Sequence, residues 1–131
     1  MIDAATAAFP RSARVRARSE FTEVFDRGRR AAHPLLSLHW LSDARAARLG
    51  LAVSRKVDPH AVGRNRIKRI LRDDFRRLRS TLAPGAYVIV ARPSAAGVNG
   101  AMLREAFRGL LLRSGALPGS GTPGTMPPAG Q

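Results

Sequence analysis

The sequence predicts an α+β fold, a two-layer α/β sandwich in which helices pack on one small mixed sheet. Residues 63–79 have the apolar periodicity of an amphipathic helix, and residues 35–41 and 49–54 alternate as neighbouring strands do. Residues 86–92 have the strongest strand pattern of the chain. With a helix before and a helix after these segments, the order is helix, strand, strand, helix, strand, helix, which is typical of the α+β class.

The composition is strongly basic. Of 131 residues, 23 are Lys or Arg and 9 are Asp or Glu, which gives a formal net charge of +14. This balance is typical of proteins that bind nucleic acid, with an affinity that falls as salt rises. The chain has no cysteine, which excludes disulfides and thiol catalysis and fits a reducing cytoplasm. No apolar run is long enough to span a membrane and no signal peptide is apparent, so we expect a cytoplasmic protein without a membrane partner.

A short first helix is predicted between Ser19, as its N-cap, and Gly28, at its C-terminal end. Phe21, Val24 and Phe25 recur at i, i+3 and i+4 and form one apolar edge. This edge is either part of the core or, because two of the chain's five Phe lie on it beside basic segments, a stacking platform for unpaired bases. The residues alone leave both interpretations open.

Each of the two neighbouring strands has one apolar face and one face of small or polar side chains. The apolar residues are Leu36, Leu38 and Trp40 in the first strand and Leu49, Leu51 and Val53 in the second. The residues on the other faces are Ser37 and His39, then Gly50, Ala52 and Ser54. We expect the apolar faces to pack on the amphipathic helix. The other faces form either the floor of a shallow groove or a plain solvent-exposed surface.

The amphipathic helix is predicted to begin at Pro59, with Asp58 as its N-cap and Gly63 as a tolerated weak point. At 100° per residue, its apolar arc consists of Ile67, Ile70, Leu71, Phe75, Leu78 and Leu82. A second, cationic arc consists of Asn65, Lys68, Arg69, Arg72, Arg76 and Arg79, with Arg66 beside it. Like charges at i, i+4 repel each other on such a face. We therefore expect this face to bind an anionic partner, and nucleic acid is the first candidate.

No residue pattern predicts catalysis by the protein itself. Asp73 and Asp74 are adjacent on a helix and point about 100° apart, and Asp73 can instead pair with Arg69 or Arg77. The three histidines lie in three separate predicted elements. The chain also has no phosphate-cradling Gly-rich loop and no zinc-ligand set, so we expect neither a bound cofactor nor a small-molecule substrate. The sequence predicts a protein that binds rather than cleaves.

The remaining segments set the domain boundaries. Residues 1–10 are predicted to form a disordered N-terminal tail, and four arginines between residues 11 and 18 form either an extended basic arm or an edge strand. A last helix that begins at Asn99 has a core face of Met102, Leu103, Ala106, Phe107, Leu110 and Leu111. Half of the residues in 114–131 are Gly or Pro, which predicts a disordered tail and leaves one domain at residues 11–113.

Four sets of residues occur in a specific order along the chain. The central ones are Leu-Gly-Leu-Ala-Val-Ser-Arg-Lys at residues 49–56 and Arg-Asn-Arg-Ile-Lys-Arg at residues 64–69, followed by Arg72 and Phe75. They are supported upstream by Phe21, Val24 and Phe25, and downstream by Tyr-Val-Ile-Val-Ala-Arg-Pro at residues 87–93. On this ordered set, which covers residues 11–113, the chain resembles the protein subunit of bacterial ribonuclease P.

The resemblance implies an α/β sandwich of the ribosomal-protein-domain type, whose βαβ unit has a left-handed crossover. It implies two RNA partners, the catalytic RNA of ribonuclease P and the precursor tRNA from which that RNA removes the 5′ leader. The protein would assist by binding both the leader and the catalytic RNA. It would carry no catalytic residue and no metal of its own, and Mg²⁺ is expected at the active site of the RNA.

The resemblance also implies which residues contact RNA. Those for the catalytic RNA are Arg64, Asn65, Arg66, Lys68, Arg69 and Arg72. Those for the leader, in a central cleft between the basic helix and the sheet, are Phe21, Phe25, His39, Ser54, Lys56 and Ala61. His39 stands where many family members have an aromatic residue such as Tyr, and an imidazole can also stack on a base.

The sequence is also compatible with two other functions. A general RNA-binding protein, for example a ribosome-associated one, would use the same basic face without a role in tRNA processing. It would bind tRNA equally well with and without a leader. A small nuclease that acts alone would use His39 or His60 as acid or base, and replacing these residues by Ala would abolish hydrolysis.

Overall fold

The computed structural model describes residues 14–15 and 18–117. Its helices and longer strands, in chain order, are α1 (Arg18–Arg27), β1 (Arg29–Ala32), β2 (Leu36–Ser42), β3 (Arg48–Ala52), α2 (Ala61–Leu78), β4 (Gly85–Ala91) and α3 (Gly100–Ser114). Short 3-10 helices follow α2 at Arg79–Thr81 and β4 at Pro93–Ala95. Within the described ranges, no helix is both long and apolar enough to cross a membrane.

The strands form one mixed sheet in the order β1-β2-β4-β3. β2 is antiparallel to both β1 and β4, whereas β3 and β4 are parallel and are joined through α2. The predicted α+β sandwich is confirmed, but β1 was absent from the prediction. Its sequence Arg-Arg-Ala-Ala has no apolar alternation, and it is a strand because its backbone pairs with β2 from Arg29 opposite Trp40 to Ala32 opposite Ser37.

The main core lies between one face of the sheet and the helices α2 and α3. The sheet contributes Leu36, Leu38, Trp40 and Leu49, with Leu51 and Val53 partly buried at the margin. The helix α2 contributes Ile67, Leu71 and Phe75, with Ile70 and Leu78 partly buried. At the centre, Tyr87 stacks on Trp40 with 5.6 Å between ring centroids. The predicted apolar faces of both strands and the apolar arc of the helix are therefore confirmed, except that Leu82 joins the core from beyond the end of α2.

The opposite face of the sheet is covered only in part, by α1. The smaller cluster there consists of Val15, Val24, Ala86 and Val88, with Phe21 at its margin. Arg14 forms a parallel bridge with Leu49, and the Val15 N–H donates to the Leu49 carbonyl at 3.0 Å. Of the two interpretations of the arginine-rich segment, the edge strand is therefore correct at Arg14.

The basic helix α2 begins at Ala61 and not at the predicted Pro59. Asp58 does not cap it, because its Oδ1 accepts the N–H of His60 at 2.9 Å and holds the chain in a turn ahead of the helix. A Cβ on Gly63 would stand 1.8 Å from Asp58 Oδ2. Gly63 therefore makes room for the carboxylate of this turn, and it is not merely a tolerated weak point.

Two predictions about the other helices are also corrected. α1 begins at Arg18, so Ser19 lies inside its first turn and is not the N-cap. Asn99 is the N-cap of α3, as its side chain accepts the N–H of Met102 at 2.9 Å. Met102 is 49% exposed and does not belong to the predicted core face, because at 100° per residue it falls about 40° outside the arc of the buried residues of α3.

The folded domain extends further than the predicted boundary at residue 113. Ser114 is the last residue of α3, and Gly115 follows it with a φ of 87°, the left-handed conformation that ends many helices. Ala116 is buried, and its carbonyl accepts the N–H of Ala83 at 2.9 Å. The predicted tails at residues 1–10 and beyond 117 lie outside the described residues.

The two acidic residues of α2 are both paired with arginine. Asp73 pairs with Arg76 and with Arg77, so the predicted pair with Arg77 is confirmed and the one with Arg69 is not formed. Asp74 is fully buried and accepts two hydrogen bonds from Arg108 of α3, at 2.8 and 3.1 Å. Asp73 therefore pairs within α2 and Asp74 ties α2 to α3, and neither forms an ion pair with Lys68, Arg69 or Arg72.

Candidate nucleic-acid interface

A cleft of about 270 Å³ lies at the β3 edge of the sheet, between α1 and α2. Its lining residues are Arg14, Val15, Phe21, Leu49, Gly50, Leu51, Lys68 and Arg72. Phe21 comes from α1, and Lys68 and Arg72 come from α2. One wall is thus aromatic and the other cationic, which is the combination that single-stranded nucleic acid requires for stacking and for phosphate contacts.

The aromatic wall stands directly on the strand because residue 50 is glycine. A Cβ built on Gly50 would stand 2.7 Å from both Cε1 and Cζ of Phe21 and 3.0 Å from Cβ of Val15. The ring therefore rests on the backbone of β3. Phe21 belongs to the margin of the small core and to the wall of the cleft at once, so the two interpretations of this residue are not exclusive.

The cationic wall has no acidic counterpart among the lining residues. Lys68 and Arg72, one helical turn apart, form no hydrogen bond or ion pair with other described residues. Burial, and then the nearby charge of Arg14, lower the pKa of Arg72, although an arginine stays protonated in such a site. The side chains of Arg14, Lys68 and Arg72 therefore lie around one small cleft, and a bound anion would reduce the repulsion among their charges.

Both arginines of the Arg-Asn-Arg motif bond to the protein's own backbone. Arg64 Nη1 donates to the carbonyl oxygens of Asp58 and Pro59, each at 3.0 Å. Arg66 Nη2 donates to the carbonyl oxygen of Val98 at 2.9 Å. The first arginine thus fixes the turn before α2, and the second fixes the loop before α3.

The six residues expected to contact the catalytic RNA therefore fall into three pairs. Arg64 and Arg66 brace neighbouring loops, and Lys68 and Arg72 line the cleft. Asn65 and Arg69 are exposed to solvent. Only this last pair is both exposed and outside the cleft.

Phe25 and His39 contact each other on the same face of the sheet as the floor of the cleft. Their ring centroids are 4.7 Å apart with an interplanar angle of 75°, an edge-to-face contact. Phe25 is 43% exposed, so the core interpretation is wrong for this residue, whereas Val24 is fully buried. Burial, and then the charge of Arg30, lower the pKa of His39, which keeps the imidazole neutral at pH 7.

The other three predicted leader contacts lie where the chain passes from β3 to α2. Ser54 and Lys56 are exposed in the turn after β3, where Ser54 Oγ accepts the N–H of Lys56 at 3.2 Å. Ala61 is exposed as the first residue of α2. None of the three lines the cleft itself.

A buried ion-pair network that no sequence pattern predicts holds α1 on the sheet. The Arg48 side chain is 3% exposed, and its Nη2 lies 2.9 Å from Glu20 and 2.7 Å from Asp43. Burial alone would lower the pKa of Arg48, yet the hydrogen bonds that its guanidinium donates to Asp43 and Glu20 raise it. Since Glu20 directly precedes Phe21, the network fixes the turn that carries the ring. The available signal was an arginine at the head of an apolar strand, but spacing does not reveal its partners.

Comparisons with known proteins identify the family of this chain. The family model Ribonuclease P matches residues 9–115. The chain is 62% identical over 121 residues to the ribonuclease P protein component of Xanthomonas campestris pv. campestris (strain B100), which covers 92% of this chain and 82% of that relative. It is 52% identical over 110 residues to the ribonuclease P protein component of Xylella fastidiosa (strain 9a5c). This match covers 84% of this chain and 82% of that relative.

Solved structures show the same fold. The ribonuclease P protein of Thermotoga maritima has a TM-score of 0.69 at 28% identity, covering 76% of this chain and 96% of that one. A Staphylococcus aureus ribonuclease P protein has a TM-score of 0.76 at 22% identity, covering 81% and 98%, and it supports the fold alone. These matches do not favour a general RNA-binding protein. The chain belongs to the ribonuclease P protein family, as a subunit of the ribonuclease P endoribonuclease that aids its RNA in the 5′ processing of tRNA.

Proposed function

We propose that the cleft binds the single-stranded 5′ leader of precursor tRNA. The observation that carries this proposal is that Phe21, resting on Gly50, faces Lys68 and Arg72 across the cleft. A base can stack on the ring while its flanking phosphates lie against the two cations. Stacking contributes about 1–3 kcal/mol per base with little dependence on base identity, which suits a leader of variable sequence.

Phe25 and His39 provide a second aromatic surface for the leader beyond Phe21. Their edge-to-face contact holds both rings in place, and the exposed part of Phe25 is free to contact a base. At the β3–α2 turn, Lys56 adds a further cation for phosphate. Ser54 offers its hydroxyl there, and the small side chain of Ala61 lets the RNA backbone come close to the start of α2.

The catalytic RNA is contacted by the outward side of α2. Asn65 and Arg69 are exposed there, so their donors are available for phosphate and ribose groups. Arg64 and Arg66 support this surface by fixing the loops on either side. Each guanidinium has five N–H donors, and those not used by the backbone carbonyls can also donate to RNA.

The Mg²⁺ expected for cleavage is bound by the RNA subunit in this proposal. Across the described residues, no three His, Asp or Glu side chains converge as a metal site would need. Asp73 and Asp74 are already paired with arginines. The protein therefore contributes positive charge and positioning. We place it in the cytoplasm, in line with the lack of cysteine.

The experiment is to compare the affinity of the holoenzyme for precursor tRNA with its affinity for mature tRNA. Lys68→Gln with Arg72→Gln should reduce this ratio at least tenfold, because a charge-assisted contact to phosphate contributes roughly 1.5–3 kcal/mol. Arg77→Gln removes an exposed charge outside the cleft and should preserve the ratio.

Two results would contradict the proposal. An unchanged ratio in the double variant would remove the cleft as the leader site. Cleavage of precursor tRNA by the protein without its RNA would show that the chain itself carries the chemistry.

A further inference from the structure

Arg30 is a cation on the leader-binding face that none of the assignments above uses. It lies on β1, the edge strand on the opposite side of the sheet from the cleft. It is exposed, and it forms no hydrogen bond or ion pair with other described residues. An uncompensated arginine on such a surface is available for an anion.

The strand register places Arg30 in line with the cleft. Arg30 is opposite His39, His39 is opposite Val88, and Val88 is opposite Gly50. Side chains of residues that are directly opposite each other lie on the same face. Arg30, His39 and the floor of the cleft therefore form one row across the sheet. Three inter-strand spacings, about 14 Å, separate the two ends of this row.

The neighbouring row leaves space for an RNA chain along this path. It runs from Ala32 through Ser37 and Val90 to Ala52. Ala32 is exposed at one end, Val90 and Ala52 are half-buried at the other, and Ser37 between them is buried, so it adds no bulk above the sheet. These side chains are small or medium-sized and carry no charge, so a phosphate backbone can approach the sheet without repulsion.

We propose that the leader path continues from the cleft over Phe25 and His39 to Arg30, whose guanidinium binds a phosphate of a nucleotide beyond those in the cleft. This inference rests on the proposed function of the cleft. Because α2 faces the catalytic RNA, the cleft beside it lies nearer the cleavage site, and β1 meets the more distant part of the leader. Arg30 also lowers the pKa of His39, after burial, so its charge acts at the aromatic pair on this path.

Arg29 provides a matched control. It is the neighbouring residue on β1, it is also exposed, and it carries the same charge. Its side chain is on the opposite face, where the guanidinium carbon lies 5.9 Å from the centroid of the Trp40 ring. A general effect of net charge would act through both arginines, whereas a leader contact acts through Arg30 alone.

The test measures the affinity of reconstituted holoenzyme for precursor tRNAs whose leaders lengthen one nucleotide at a time. The proteins are wild type, Arg30→Gln, Arg30→Lys and Arg29→Gln. Arg30→Gln should bind short-leader precursors normally and lose at least about tenfold in affinity once the leader is long enough to reach β1. Its slope of log affinity against log salt should fall by about 0.7, the value for one phosphate on a single strand. Arg30→Lys and Arg29→Gln should keep the wild-type length dependence.

Each other result decides against the inference in a distinct way. If Arg30→Gln matches wild type at every leader length, Arg30 is not on the path while the cleft proposal stands. If it weakens binding equally for leaderless tRNA, or weakens binding to the catalytic RNA, Arg30 contacts a different RNA. If the wild type itself shows no dependence on the leader, the cleft proposal fails and this inference fails with it.

Discussion

The ring of Phe21 rests on the backbone of β3 at Gly50, and two of its carbons lie 2.7 Å from the position that a Cβ would occupy there. The aromatic ring on one side of the cleft is therefore in direct contact with the strand at the base of the cleft. The buried ion pair between Glu20 and Arg48 holds the same turn of α1. The position of the Phe21 ring therefore depends on the absence of a side chain at Gly50 and on the salt bridge between Glu20 and Arg48.

Gly50→Ala should push the Phe21 ring out of its place. Overpacking of this kind costs about 1–3 kcal/mol in the free energy of unfolding, and the holoenzyme should lose part of its preference for leader-bearing tRNA. Urea denaturation and tRNA affinities measure the two effects. Gly109→Ala in α3 is the control, since nothing lies within 4 Å of its Cβ position. If Gly50→Ala left the preference for leader-bearing tRNA unchanged, the position of the Phe21 ring would not matter for leader binding.

Arg108→Ala should destabilise the fold by about 3 kcal/mol, because it leaves the fully buried carboxylate of Asp74 without its charged partner. Urea denaturation measures the loss. Removing both groups with Asp74→Ala and Arg108→Ala should cost less than removing Arg108 alone. Arg77→Ala, which breaks an exposed pair, should change stability by about 0.5 kcal/mol or less. Equal effects of Arg108→Ala and Arg77→Ala would show that the buried carboxylate of Asp74 does not depend on Arg108.

Gly63→Ala should behave differently with and without Asp58. In the wild-type background the new methyl group displaces the Asp58 carboxylate and breaks its hydrogen bond to His60, which offsets the better helix propensity of Ala. In the Asp58→Ala background the clash is gone, and Gly63→Ala should stabilise the protein by up to about 1 kcal/mol. A double-mutant cycle by thermal denaturation gives the coupling. Additive effects would contradict the contact.

His39 should make the protein less stable in mild acid. Its pKa in the folded state lies below the ordinary value of 6.5, so the unfolded chain binds the proton more readily. The free energy of unfolding should therefore fall as the pH drops below 6.5 toward the folded-state pKa, with no contribution from His39 at higher pH.

Arg30→Gln should raise the pKa of His39, because it removes a nearby positive charge. The pKa should stay below 6.5, since burial is the larger cause and is unchanged. NMR titration of the imidazole measures it. Arg29→Gln is the control and should leave the pKa of His39 unchanged. An unchanged pKa in Arg30→Gln would contradict the placement of Arg30 and His39 on one face of the sheet.

Much of the fold follows from the sequence because its periodicities are strong. The apolar arc of α2 around Ile67, Leu71 and Phe75 predicted the face that packs on the sheet. In contrast, β1 has no apolar pattern, and only pairing with β2 makes it a strand. Met102 recurs at helical spacing beside the core face of α3, yet it lies at the margin of that face and is exposed. Local patterns predict elements, and tertiary pairing decides their ends.

The candidate site was predictable as a set of residues but not as an arrangement. The helical spacing predicted that the cations of α2 lie on one face, and the family resemblance implied which residues contact RNA. Neither showed that Arg66 donates to the carbonyl of Val98, which is 32 residues away. Nor did they show that Arg48 bonds to Glu20, because buried polar partners distant in sequence leave no periodic signal.

The most direct test of the account is a crosslinking measurement from the leader face. A photoreactive phenylalanine analogue is introduced in place of Phe25, which is exposed beside His39, and irradiated in the holoenzyme bound to precursor tRNA. The same analogue in place of Leu112, exposed on α3, is the control. We expect a crosslink from position 25 to the 5′ leader that the control lacks and that disappears with mature tRNA. A crosslink from position 25 to the catalytic RNA alone, unchanged by the leader, would contradict it.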